Sequence, residues 1–149
     1  LSKKKDFLDC FNLNLISATE IIRASFNKLK ENKGSIVLFS TVAARKGFTN
    51  HSIISSAKAA VEGLTVALAA EFSPHVRVNC IAPSLSKSKM GEFLLKNEKI
   101  AEGIAKLHPL KRLGEGSDFS AIAKFLVSEE SSWMTGQIIG VDGGRSSVA

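Results

Sequence analysis

Tyrosine is absent from the 149 residues. No phenol is therefore available to any proton-transfer chemistry the chain performs. Cysteine occurs only as Cys10 and Cys80, far apart in sequence and each within an apolar pattern. Two such thiols make neither a disulfide framework nor a metal site, and they read as buried groups of a reducing, cytoplasmic compartment. There is no uninterrupted apolar run of the ~18 residues that would mark a membrane span. The opening LSKKKDFLDC has lysines but no apolar segment behind them, so this stretch is not expected to be a signal peptide. Aromatic residues are few, and the basic residues behind the net charge of +6 are dispersed apart from Lys3–Lys5. That balance suits a soluble protein meeting small anionic ligands, and argues against nucleic acid. There is no internal repeat. The chain has no initiator methionine and enters a helix almost at once, so a missing N-terminal part is expected. What is present suffices for one core: 44% of residues are hydrophobic, in a length of one domain, 1–149, or a large piece of one.

Periodicity divides the chain. Phe7, Phe11, Leu15, Ala18, Ile22, Phe26 and Leu29 recur at three and four residues and predict a helix over 3–30. Asn14 interrupts that face. It is either a boundary residue bonded to backbone or the holder of a water or carbonyl near a site. Gly34 ends the helix. The continuous apolar run over 35–40 predicts a strand covered on both faces, followed by a loop over 41–50. A second long helix over 51–72 carries Ile54, Ala57, Val61, Leu64 and Leu68 on one face. Lys58 borders this face and His51 lies two turns back on the same stripe. The ordinary reading of such a lysine is a stem laid along apolar surface with its head in water. Residues 76–82 form a second apolar strand, ended by Pro83. A polar excursion over 84–107 has the composition of a mobile surface segment or lid, with a helix at about 90–106. A helix over 117–128, with Phe119, Ile122, Ala123, Phe125 and Leu126 inward, precedes a third strand over 137–141. Alternating helices and strands imply an α/β fold, a doubly wound parallel sheet with too few strands to be whole. Ligands of such sheets sit at the carboxyl ends of the strands.

The local motifs resemble, in order, those of the short-chain dehydrogenase/reductase family. Asn14-Leu15 resembles its Asn-Leu. Gly34 to Thr41 resembles G-x-I-V-x-x-S-S, and Ser56 to Thr65 resembles S-K-A-A-x-x-G-L-T. Val76 to Pro83 resembles V-R-V-N-x-I-x-P, and Pro109 to Gly114 resembles P-L-x-R-x-G. Thr135-Gly136-Gln137 and Val141 to Gly144 resemble the closing T-G-Q and V-D-G-G. The resemblance implies a Rossmann-type fold represented by its C-terminal portion, because the Gly-rich turn that cradles the cofactor pyrophosphate has no counterpart. It also implies NAD or NADP as cofactor, a carbonyl or alcohol substrate, acyl-linked ones included, and assembly as a homodimer or homotetramer.

By the same resemblance Asn14, Thr41 and Lys58 match the family's catalytic Asn, Ser and Lys. The position of its tyrosine, four before the lysine, holds Ile54, which cannot transfer a proton. His51 stands seven before Lys58, a spacing similar to that of the tyrosine in the enoyl-acyl-carrier-protein reductase branch. It is a candidate proton donor, against the simpler reading of a surface residue at a helix start. The other reading is a relative without catalysis that binds cofactor or a partner subunit. The cofactor edge would be Lys58, Pro83, Ser84, Ser86 and Ser88, with Ser88 at the position that bonds the nicotinamide carboxamide and Ser84 replacing a glycine.

Overall fold

A computed structural model describes residues 2–88 and 96–148 of the chain. Three parallel strands, β1 (Ser35–Phe39), β2 (Arg77–Pro83) and β3 (Ile138–Val141), lie in the order β1-β2-β3. The first helical segment runs as α1 (Lys4–Phe11), a π-helical turn (Asn12–Ile16) and α2 (Ser17–Glu31). A single regular helix was expected over this stretch. The π turn keeps the apolar residues on one side, so their spacing in sequence gives no sign of it. α3 (Ser52–Phe72) follows β1, and α4 (Glu98–Lys106) and α5 (Gly116–Val127) lie between β2 and β3. Of the polar excursion, residues 89–95 lie outside the described residues, and so does the start of the helix expected at about 90–106.

Alternation along the strands assigns the two faces of the sheet. Ile36, Val76 and Val78 pack with Ile22 of α2 and Ala69 of α3, backed by Phe26, Leu29, Leu68 and Phe72. Ile81 and Leu126 of α5 are fully buried. α5 packs on β1 and β2. With helices on both faces, the sheet is doubly wound. β2, the central strand, is buried from Val78 to Ala82, as its continuous apolarity requires. β1 is less covered, and Phe39 at its end is 44% exposed.

Polar ties close the layer between β2 and β3. Arg77 extends its guanidinium to the Leu126, Ser128 and Met134 carbonyls and the Ser131 hydroxyl. Asn79, fully buried, donates to the Met134 carbonyl and accepts from the Gln137 amide, both at 3.0 Å. The turn into β3 is therefore fixed by two side chains of β2. Among the described residues α3 is long and apolar enough to cross a membrane by length and composition alone. Counting unbroken apolar runs misses it, because Lys58 and Glu62 interrupt the sequence. Here Ala57, Val61, Thr65 and Ala69 are buried in the protein.

Candidate active site at the carboxyl ends of the strands

β1 and β2 deliver their last residues to one edge. Thr41, just past β1, accepts the Ala43 amide at 3.3 Å, which caps the short turn Val42–Ala44. Its hydroxyl donates to the Pro83 carbonyl at the end of β2, 3.4 Å away. Thr41 and Pro83, both named through the family resemblance, thus meet. Lys58 reaches the same edge from α3, where its ammonium donates to the Phe39 carbonyl at 2.8 Å. Burial holds the Lys58 pKa below the ordinary lysine range, opposed by the nearby Cys80 and Cys10 sulfurs. The ordinary reading of the lysine, head at the solvent boundary, holds in that its bond is exposed. The head is directed onto a strand end.

Asn14 sits in the π turn. Its amide donates to the Cys10 carbonyl at 2.9 Å and lies 3.4 Å from the Cys10 sulfur. A bond to a backbone carbonyl is common to both alternatives read from sequence. The π turn and α1 both pack on α3, and Cys10 is close enough to Lys58 to act on its charge. Asn14, Cys10 and Lys58 are therefore one neighbourhood. π turns of this kind occur often at functional positions.

His51 stands apart from that group. It is the exposed residue preceding α3, with Nδ1 2.7 Å from the Thr49 carbonyl and its ring beside Phe48. A carbonyl only accepts, so Nδ1 carries the proton. His51 lines a cleft of about 780 Å³ with Arg45, Lys46, Phe48 and Ser55, and neither Thr41, Lys58 nor Asn14 borders it. Two helical turns, about 10 Å of rise, separate His51 from Lys58. Ile54, where a tyrosine was sought, is half-buried.

The remaining expected positions divide. The Ser84 hydroxyl is 2.8 Å from His108 Nε2. Ser86 makes a parallel bridge with Gly114, reinforced by the Lys87 amide on the Gly114 carbonyl at 2.9 Å. Ser88 is exposed at the margin of the described residues. Sequence reasoning missed Glu62, a buried carboxylate one turn beyond Lys58. It accepts from Ser40 at 2.9 Å and from Arg45 at 2.7 Å. Its partners lie some twenty residues back in sequence, and no local pattern pairs them. It also missed His108, whose partner is equally remote.

The site therefore offers a hydroxyl, an ammonium and backbone carbonyls at one strand edge. That donor set suits a ligand carrying hydroxyl and carbonyl oxygens, such as the ribose and carboxamide of a nicotinamide nucleotide. The other half of such a cofactor needs an anion-binding turn that this sequence does not contain.

The comparisons with known proteins agree with this architecture. The family model described as enoyl-(acyl carrier protein) reductase matches residues 2–146. A chloroplastic tropinone reductase homologue of Arabidopsis thaliana is 36% identical over 143 residues, 95% of this chain and 44% of its own length. The structure of a putative gluconate dehydrogenase from Agrobacterium tumefaciens superposes with a TM-score of 0.93 at 28% identity. The match covers 99% of this chain and 59% of that one. The structure titled ElxO with NADP bound gives 0.89 at 26% identity, over 97% of this chain and 59% of its own. The chain spans about half the length of the curated relatives it matches. With the family's motifs in order on a three-stranded remnant of its sheet, the chain belongs to the short-chain dehydrogenase/reductase family.

Proposed function

We propose that this chain carries the nicotinamide- and substrate-facing part of an NAD(P)-dependent oxidoreductase acting on a carbonyl or alcohol, acyl-linked substrates included. The observation that carries the reading is the meeting of Thr41 with Pro83 at the strand edge that Lys58 reaches. Bound there, a nicotinamide would supply or accept the hydride. The chain's own residues do the rest. In this reading Thr41 turns its hydroxyl from the Pro83 carbonyl to the substrate oxygen, and Lys58 holds the ribose hydroxyls. Ser86 and Ser88 border the place of the carboxamide. Proton transfer, with no phenol in the chain, is assigned to His51 acting through solvent in its cleft. Homodimeric or homotetrameric assembly is supported by the exposed Leu13, Ile16 and Ile21 along the first helices and Val66 on α3.

A catalytically silent role is the second reading. It is favoured by Ile54 and by the distance between His51 and Lys58. Oxidation of NADPH against a panel of ketones and enoyl thioesters separates the two, run on the full-length protein beside His51→Ala and Lys58→Ala. Turnover that His51→Ala abolishes, with nucleotide affinity unchanged, supports the proton assignment. Nucleotide binding without turnover of any substrate supports the silent reading. The chain alone is expected to bind NADPH weakly, since it lacks the phosphate-binding turn. Calorimetric binding in the micromolar range would contradict that.

A further inference from the structure

Ser84 and His108 are 24 residues apart in sequence and 2.8 Å apart in space. His108 is 1% exposed. Its Nδ1 lies 2.9 Å from the Ile104 carbonyl at the end of α4. That carbonyl can only accept, so Nδ1 carries the proton and Nε2 is bare. The Ser84 hydroxyl must then donate to Nε2. A serine bonded to an imidazole base, itself oriented by a third group, is the arrangement that activates a serine nucleophile. The backbone carbonyl here stands where a carboxylate often stands.

The surroundings distinguish the pair from a bond between two packed elements. Ser84 follows β2 directly and lines a cavity of about 380 Å³, together with Arg112, Asp118, Gly143 and Gly144. The histidine is closed to water while the serine borders open space. Asp142, across from His108, does not compete for the imidazole. Its carboxylate accepts from the Gly144 and Ser146 amides at 2.9 Å and from the Ser146 hydroxyl. Arg112 is held by two 2.7 Å bonds to Asp118 and brings a guanidinium to the cavity wall.

We infer that Ser84 is a nucleophile with His108 as its base, and that the cavity accepts a small acyl ester or thioester. The Ser84 oxygen bonds to the acyl carbon as its proton passes to His108 Nε2. The bond from that carbon to the leaving oxygen or sulfur breaks, and the leaving group takes the proton from Nε2. Water, deprotonated by the same nitrogen, then releases the acid and restores the serine. The step involves no redox change and does not depend on the oxidoreductase reading.

The test is acetylation of the chain by p-nitrophenyl acetate, following nitrophenolate release and locating the acetyl group by peptide mass spectrometry. The expected result is an initial burst with the acetyl group on Ser84. Ser84→Ala removes both burst and adduct, and Ser84→Cys restores an adduct at that position. His108→Gln can still accept from the hydroxyl but cannot carry a proton on to the leaving group. It is expected to slow acylation by roughly 100-fold while the circular dichroism spectrum is kept. The inference is overturned if no acetyl group appears on Ser84, or if Ser84→Ala reacts at the wild-type rate. Either outcome would make the pair a latch between β2 and α4.

Discussion

Replacing Arg77 by methionine tests how the β2–β3 layer is held. The methionine keeps most of the apolar stem and removes the guanidinium. Four acceptors lose a donor: the Ser131 hydroxyl at 2.8 Å and the Ser128, Leu126 and Met134 carbonyls at 3.0, 3.1 and 3.4 Å. Charged hydrogen bonds contribute about 1.5–3 kcal/mol each, so a simple sum would exceed about 6 kcal/mol. The structure argues for less. The Leu126 carbonyl also accepts from the Ser35 hydroxyl, the Ser128 carbonyl from the Ser131 amide, and the Met134 carbonyl from Asn79, with the one Ser131 hydroxyl proton available to either of the first two. No carbonyl is left without a partner, and the penalty for an orphaned buried acceptor does not arise. What remains is the loss of the two short bonds, to Ser131 and Ser128, offset by no longer desolvating a cation. The expected cost is about 2–3 kcal/mol, read as a shift of the denaturant midpoint at constant slope. For a chain of this size that is a fall in Tm of roughly 5–10 °C. Arg77→Lys should recover less than half of the loss, because an ammonium cannot span acceptors on both sides. A cost below about 1 kcal/mol would show that the guanidinium is not what holds the turn. A cost above about 5 kcal/mol would show that the shared acceptors do not compensate.

Gly144 has φ +85°, and a Cβ there would lie 3.0 Å from Pro109 Cγ. Gly144→Ala should cost about 1–3 kcal/mol, while Gly47→Ala, which meets nothing within 4 Å, should be close to neutral in the same melt. The Asp118 carboxyl is held at a pKa of about 2, chiefly by Arg112 and further by the Glu115 amide. A depressed carboxyl stabilises the fold above its unfolded pKa of about 3.9. That contribution is lost as pH falls through about 2. An NMR titration should show Asp118 titrating near 2, and Arg112→Ala should return it toward the ordinary range; an unchanged midpoint would refute the assignment to Arg112.

The elements were legible in sequence because burial leaves a period. Ile22, Ala57, Val61, Val78 and Leu126 occupy the inward positions their spacing predicts. The strand ends were legible as well, since Pro83 closes β2 and Thr41 follows β1. What was hidden has no local signature. The π turn around Asn14 adds a residue to a helical turn without disturbing the apolar stripe. His108, Glu62 and Arg77 each look like solvent-facing polar residues until the fold supplies partners 17 to 57 residues away. The seven-residue spacing predicts His51 two turns before Lys58 on one helical stripe, whereas His51 precedes α3. The spacing did not reveal that the chain before His51 turns the imidazole toward Phe48 and Thr49.

Lys58 is where the missing tyrosine bears hardest on function. The resemblance implies two tasks for the family's lysine, lowering a phenol's pKa and holding the nicotinamide ribose, and the first has no object here. Its two sulfur neighbours do not replace a phenolate. Cys80 is pushed up to about 11 by burial, so it stays a neutral thiol at physiological pH. Among the described residues no carboxylate makes an ion pair with Lys58; Glu62, one turn on, is taken by Arg45 and Ser40. Lys58 is half-buried, and its ammonium meets one protein acceptor, the Phe39 carbonyl, at a solvent-exposed position. Such a cation costs desolvation energy that one neutral acceptor only partly offsets. A methionine could lie along the same path without that cost, so the charge is not explained by the packing of α3. On the proposed function, it is the group that meets a ligand's hydroxyl or anionic oxygens at the end of β1. On that reading Lys58 would keep the ribose-holding part of the family's lysine role, whatever group supplies the proton.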